Sequence, residues 1–178
     1  MNRTGTMLRG TIMIAALFAT AATAEEPRKI AFVDTGNTGR SVTAEALANA
    51  YIKDNKMYVA VVSRAVDMDP FDVEPEANVV TLLKKRGLDV SAHRAVQLTA
   101  NDVRHADVIL TMTAKHKSKV VELYPDSAAK TFTLSEYATG NQTDVADAYG
   151  KPMDVYVEMV KQVDGYIPTV ITKAVKKP

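Results

Sequence analysis

Short apolar runs alternate with amphipathic stretches along the chain from residue 29 onwards. Apolar runs of the length typical of β-strands occupy residues 30–33, 58–62, 108–112 and 131–134. Apolar residues at helical spacing occupy residues 41–53, 75–86, 116–123 and 153–174. This alternation predicts an α/β fold, a single domain in which helices flank a four-stranded parallel sheet.

Local signals refine the ends of several predicted elements. Ser41 is predicted to cap the first helix. Thr99 followed by Asp102 predicts a capping box and a short helix to about His105. Pro168 is expected to kink or split the last helix. Residues 137–152 are rich in Gly, Asp and Thr, which is typical of a functional loop.

The first 24 residues have the composition of a secretory signal peptide. Two arginines precede the apolar run at 11–20, and Ala22-Thr23-Ala24 follows it as a small-x-small cleavage site. The apolar run is too short to span a membrane. We therefore expect cleavage after Ala24, a folded domain over residues 25–178, and a periplasmic or secreted location with no membrane attachment after cleavage.

Composition excludes several classes of function. The chain has no cysteine, so it forms no disulfide and offers no thiol nucleophile. A formal net charge of +1 does not indicate a nucleic-acid partner. Three scattered histidines without cysteine do not predict a transition-metal site, and no cofactor is expected. His105 and His116 lie in helical surface patterns and are predicted to be exposed.

Residues 34–41 carry the strongest functional signal. They join the first strand to the first helix and read Asp-Thr-Gly-Asn-Thr-Gly-Arg-Ser. Loop N–H groups and the free N–H groups of the first helical turn make such a segment an anion site. Gly36 and Gly39 are expected to take positive φ, and Asn37 also tolerates that region. Arg40 adds a planar set of donors suited to a tetrahedral oxyanion.

This loop resembles the phosphate loop of low-molecular-weight protein tyrosine phosphatases, which reads Cys, five residues, Arg, then Ser or Thr. Asp34 stands where that family has its nucleophilic cysteine. Residues 91–98, Ala106-Asp107 and Asp147-Ala148-Tyr149-Gly150 also resemble family motifs, in the same order. Arsenate reductases are relatives of these phosphatases, but their relay of cysteines is absent here.

The resemblance implies a role for each matching residue. Arg40 and the loop would hold a phosphate or a phosphorylated small molecule or protein, Asp147 would be the general acid, and Ser41 would steady the nucleophile. His93 would support the loop through Asn37, and Tyr149 would form an aromatic wall for the substrate. The implied phosphate-binding residues are Thr35, Gly36, Asn37, Thr38, Gly39, Arg40 and Ser41.

Asp34 leaves two functions open. A carboxylate is less nucleophilic than a thiolate and could accept the loop's own N–H bonds, which predicts phosphate binding with lost or reduced catalysis. Carboxylates are also phosphorylated in some enzymes, so an active phosphomonoesterase with Asp34 as nucleophile and Asp147 as acid is the alternative.

Two further interpretations concern a flavin and a cation. Residues 35–38, Thr-Gly-Asn-Thr, also resemble the flavin-phosphate loop of flavodoxins, although no Trp is present to stack a flavin ring. Asp34, Asp144 and Asp147 could converge on a hard divalent cation, although Asp144 is more simply read as a solvated loop residue.

Overall fold

The structure is a computed structural model that describes residues 26–176. Its strands are β1 (Arg28–Asp34), β2 (Val59–Ala65), β3 (Val108–Thr111) and β4 (Thr131–Thr133). All pairings are parallel and the order in the sheet is β2-β1-β3-β4. The predicted parallel α/β fold is confirmed. The predicted signal peptide lies outside the described residues.

Helices cover both faces of the sheet. They are α1 (Arg40–Asp54), α2 (Ala77–Lys84), α3 (Ala100–His105), α4 (Ala114–Leu123), α5 (Leu134–Thr139) and α6 (Met153–Val175), with a 3₁₀ turn at Pro125–Lys130. Successive strand side chains point to opposite faces, which separates two cores. Ile30 and Phe32 pack with residues of α1 and α6, whereas Ala31 and Val33 pack with residues of α3 and α4.

Side-chain caps explain where several helices begin. The predicted capping box of Thr99 and Asp102 is present at α3. Gly39, not Ser41, is the N-cap of α1, because Arg40 is already helical. Thr113 caps α4, so the helix begins at Ala114, two residues before its predicted start at His116. Thr133 and Glu136 form a second capping box and begin α5, where the sequence pattern indicated the end of a strand and a loop.

Pro168 does not split the last helix. Helix α6 runs from Met153 to Val175 with Pro168 inside it. Ile167, Val170 and Ile171 beside the proline are all buried in the core that also contains residues of α1 and the sheet. Among residues 26–176, no helix combines the length and the hydropathy that a membrane span requires.

Candidate functional site

The loop of residues 34–41 lies at the carboxyl end of β1, a central strand of the sheet. Because β2 and β3 pair with β1 on its two sides, the loop sits at the edge where ligands bind to parallel sheets. A cavity of ≈ 270 Å³ opens above it. The cavity is lined by Asp34, Thr35, Gly36, Thr38, Gly39, Arg40, Asp67, Asp69, Asp72, Glu76, Asp147 and Tyr149.

The Asp34 carboxylate is enclosed by its own loop. The residue is only 3% exposed. Its Oδ1 accepts the Asn37 N–H at 2.6 Å and its Oδ2 accepts the Ser41 N–H at 2.8 Å. Each carboxylate oxygen therefore has a backbone donor, and the negative charge is stabilised by the loop that would hold an anion.

Asn37 organises the loop around this carboxylate. It takes the left-handed conformation with φ of 59°. Its Nδ2 donates to Ser41 Oγ at 2.9 Å and its Oδ1 accepts the Val96 N–H at 3.0 Å. His93 Nε2 lies 2.9 Å from the Asn37 carbonyl oxygen, so the structure places His93 against the loop. We call Asp34, Asn37 and Ser41 the floor of the cavity.

Gly36 and Gly39 were expected to take positive φ, and this was wrong. Asn37 takes positive φ in this loop instead. Gly39 has φ of −126°. Its importance is steric, because a Cβ at this position would overlap the Glu76 carboxylate. A glycine at position 39 lets Glu76 lie directly against the loop.

Several donors remain for an anion. Within residues 26–176, no backbone or side-chain acceptor pairs with the N–H groups of Gly36, Thr38 and Gly39. Arg40 also faces the cavity, and its Nη2 lies 3.4 Å from Asp147 Oδ2. The predicted phosphate-binding loop and the predicted acid are thus brought together. Asp147 is mostly exposed, with a side-chain exposure of 63%.

Acidic and aromatic side chains surround the opening. We call the lining residues Asp67, Asp69, Asp72 and Tyr149, together with Phe71, which lies between Asp69 and Asp72 in the sequence, the rim. Tyr149 is 62% exposed, and its hydroxyl donates to Asp72 Oδ2 at 3.2 Å. Phe71 is 96% exposed. The cavity as a whole is lined by six carboxylates and one arginine, a charge balance that disfavours a free anion.

Sequence reasoning missed Glu76. Its carboxylate accepts a hydrogen bond from the Tyr156 hydroxyl. Burial raises the pKa of Glu76, and the charges of Asp34 and Asp147 raise it further. Burial together with the Glu76 carboxylate raises the pKa of Tyr156 to about 12. The only sequence signal was a carboxylate immediately before an amphipathic helix, which ordinarily indicates a helix start.

His116 was predicted to be exposed, and this was wrong. It is 6% exposed, and its Nε2 lies 2.8 Å from Thr35 Oγ1. Burial, and then the positive charge of Arg40, lower the pKa of His116 to about 4. The pattern Thr113-x-x-His116 indicates the first turn of α4, which Thr113 caps, but it does not indicate that the His116 side chain is buried.

Asp34, Asp144 and Asp147, which were considered as ligands of a divalent cation, do not converge on one point. Asp34 is bonded within the loop, Asp147 faces Arg40, and Asp144 Oδ1 accepts the Ala114 N–H at 2.8 Å. Over the described part of the chain, no three His, Asp or Glu side chains are close enough to hold a metal ion.

Comparison with known proteins supports the resemblance over nearly the whole domain. The family described as low molecular weight phosphotyrosine protein phosphatase matches residues 29–178. The protein-arginine-phosphatase of Geobacillus stearothermophilus is 36% identical over 131 residues, which cover 73% of this chain and 84% of the relative. A probable low molecular weight protein-tyrosine-phosphatase, EpsP of Ralstonia nicotianae, is 31% identical over 148 residues, covering 80% of this chain and 96% of that protein.

A solved structure gives the same result in three dimensions. It is the YwlE arginine phosphatase in the form of a cysteine-to-serine mutant with a phosphorylated active site serine. It superposes with a TM-score of 0.79 at 30% sequence identity, over 84% of this chain and 97% of the solved chain.

Proposed function

The chain belongs to the low molecular weight phosphotyrosine protein phosphatase family, and from that membership we propose that it binds a phosphorylated ligand in the loop 34–41 without efficient catalysis. Family membership favours a phosphoryl group over a flavin as the occupant of this loop. The N–H groups of Gly36, Thr38 and Gly39 and the Arg40 guanidinium are the donors we assign to its oxygens.

One observation carries the loss of catalysis: both Asp34 oxygens accept loop N–H bonds. Attack on phosphorus needs a free lone pair aligned with the bond that breaks. Hydrogen bonds from the Asn37 and Ser41 N–H groups draw charge from both oxygens and fix their orientation towards the loop, which lowers their nucleophilicity. A carboxylate held in this way acts as an internal ligand of the loop.

The charges around the cavity favour a ligand that brings donors with its phosphoryl group. Five carboxylates besides Asp34 line the cavity, and they repel a free dianion but accept N–H bonds. A phosphorylated guanidinium has such N–H groups, whereas a phosphotyrosine ring has none. We therefore propose phosphoarginine in a protein as the preferred ligand. The name protein-arginine-phosphatase, carried by a relative, agrees with this choice.

A restored thiol provides the sharpest test. In Asp34→Cys the loop donors, Arg40 and Asp147 stay in place, so turnover of p-nitrophenyl phosphate is expected from the variant and not from the wild-type chain. Calorimetric titration with phosphoarginine and phosphotyrosine tests binding by the wild-type chain. Absence of phosphate-ligand binding, together with an inert Asp34→Cys variant, would contradict the proposal.

Active catalysis by Asp34 is the second candidate, and one comparison favours it. The phosphorylated serine in the solved cysteine-to-serine mutant places a phosphoryl group on an oxygen nucleophile in a related protein. Here an Asp34 oxygen would attack phosphorus, the bond to the leaving group would break, and Asp147 would protonate that group. Water would then hydrolyse the aspartyl phosphate. Trapping that intermediate with hydroxylamine, and loss of turnover in Asp34→Asn, would favour this candidate.

We also propose export to the periplasm, on the composition of residues 1–24. A mature chain that begins at Glu25 and is recovered in the periplasmic fraction is the expected result. N-terminal sequencing of the protein from fractionated cells checks it, and an intact N-terminus in the cytoplasmic fraction would contradict it.

A further inference from the structure

Thr35 and His116 form a pair that the proposed phosphate binding does not use. Their side chains meet at 2.8 Å, between Thr35 Oγ1 and His116 Nε2, although 81 residues separate them. Thr35 is exposed and lines the cavity directly after Asp34. His116 is buried in the first turn of α4. The pair therefore links the loop of residues 34–41 to helix α4.

The direction of this hydrogen bond decides whether the Thr35 hydroxyl can donate to a ligand in the cavity. If the imidazole proton is on Nδ1, the Thr35 hydroxyl donates to Nε2 and presents only lone pairs to the cavity. If the proton is on Nε2, the ring donates to Thr35 Oγ1. The hydroxyl proton is then free to donate to a ligand.

Burial and local pairing favour the proton on Nε2. Within residues 26–176 no protein group pairs with His116 Nδ1. An orphaned buried N–H is rarer than an under-satisfied acceptor, so Nδ1 is better left unprotonated. The charged groups that face the ring are Arg40 of α1, Asp34 of β1, and Asp144 and Asp147 of the 140–152 loop. Burial keeps the ring neutral despite those carboxylates, since the pKa of His116 is lowered to about 4.

We infer that His116 is a positioning residue: its Nε2–H donates to Thr35 Oγ1, which directs the Thr35 hydroxyl proton to a phosphoryl oxygen in the cavity. This assignment rests on the proposed phosphate binding and adds a side-chain donor to the loop N–H groups. His116 itself is buried and acts only through Thr35. The donor is important here because the neighbouring Asp34 presents negative charge to the same ligand.

Two measurements test the assignment. Ring ¹⁵N chemical shifts of His116 in the folded protein report the tautomer directly, and the Nε2–H form is expected. Calorimetry with phosphoarginine, the proposed ligand, then compares the wild-type chain with Thr35→Val and His116→Leu. Losing one hydrogen bond to a charged ligand lowers affinity about tenfold to a hundredfold, and both variants should show it.

Conservative variants separate positioning from packing. Thr35→Ser keeps the hydroxyl, and His116→Gln keeps a donor near the Nε2 position, so both should recover most of the affinity. Ser118→Ala, an exposed change on α4, serves as the control. If the His116→Leu variant does not fold, Thr35→Val alone measures the loss of affinity. Combining Thr35→Val with His116→Leu should cost no more affinity than either change alone.

The outcomes distinguish this assignment from the proposed function. A wild-type chain that does not bind phosphoarginine would overturn both. Wild-type binding with unchanged affinity in Thr35→Val, or an Nδ1–H tautomer, would overturn the assignment alone. Equal losses in His116→Gln and His116→Leu would reduce His116 to a packing role and would also overturn it.

Discussion

The floor and the rim of the cavity differ in burial and in how their polar groups are paired. Asp34, Asn37 and Ser41 of the floor are all buried and joined by hydrogen bonds of 2.6–2.9 Å. At the rim, Phe71 is almost fully exposed and the Tyr149–Asp72 hydrogen bond is an exposed one. Changes at the floor should therefore affect folding and binding together, whereas changes at the rim should leave folding unaffected.

Asn37→Ala is expected to have the largest effect on the floor. It removes the bond to Ser41 Oγ, leaves the Val96 N–H without its acceptor, and places alanine at a φ of 59°. The combined loss should lower the free energy of unfolding by about 3–5 kcal/mol. Urea denaturation measures it. Asn37→Gly is the matched variant, because it loses the same bonds without the backbone strain and should be less destabilised. Equal stability of Asn37→Ala and the wild-type chain would contradict the floor's role.

The pH dependence of stability should show the burial of His116, which lies beside the floor and contacts Thr35. Its folded pKa is about 4, below the ordinary value of 6.5, so between these values only the unfolded chain binds the proton. Stability therefore falls as pH falls through that window, by about 3 kcal/mol in total for this group. His116→Gln cannot bind that proton and should have a flatter profile. Denaturation at pH 4, 5, 6 and 7 compares the two, and parallel profiles would contradict a buried neutral imidazole.

Gly39→Ala tests the contact between the loop and Glu76. The added Cβ would overlap the Glu76 carboxylate, which must then leave its position beside Tyr156. A loss of about 1–3 kcal/mol in unfolding free energy is expected from this overpacking. In a Glu76→Ala background the same change should cost much less. If the cost is the same in both backgrounds, the steric explanation is wrong.

Phe71→Ser should have the smallest effect on stability. The side chain is 96% exposed, so its removal should change the free energy of unfolding by less than about 0.5 kcal/mol. Thermal denaturation checks this, with the buried Phe32→Ser as the contrasting variant. A clear loss of stability in Phe71→Ser would show that the rim is packed, and the comparison with the floor would fail.

Local patterns were sufficient for the sheet and for the loop. Alternating apolar runs predicted the parallel strands, and the Gly-, Thr- and Asn-rich residues 34–41 predicted a loop between β1 and α1. Both signals depend on neighbours within a few residues. The capping box at Thr99 was predicted for the same reason.

Contacts between distant segments were not predictable in this way. Nothing near Glu76 indicates that it will meet Gly39 and Tyr156, and nothing near His116 indicates Thr35. Helix α5 was missed because the apolar run continued into Leu134, while the capping box of Thr133 and Glu136 begins a helix there. In each case tertiary packing or capping outweighed the local pattern.

The loop also depends on the order in which the chain folds. Asn37 Oδ1 accepts a hydrogen bond from the Val96 N–H, 59 residues away in the sequence. His93 Nε2 pairs with the Asn37 carbonyl oxygen, 56 residues away. Contacts of such high sequence separation close late and slow the folding of parallel sheets. The loop of residues 34–41 is therefore completed only after residues 93–96 have docked. A phosphorylated ligand would bind the finished fold alone and would raise its melting temperature by mass action.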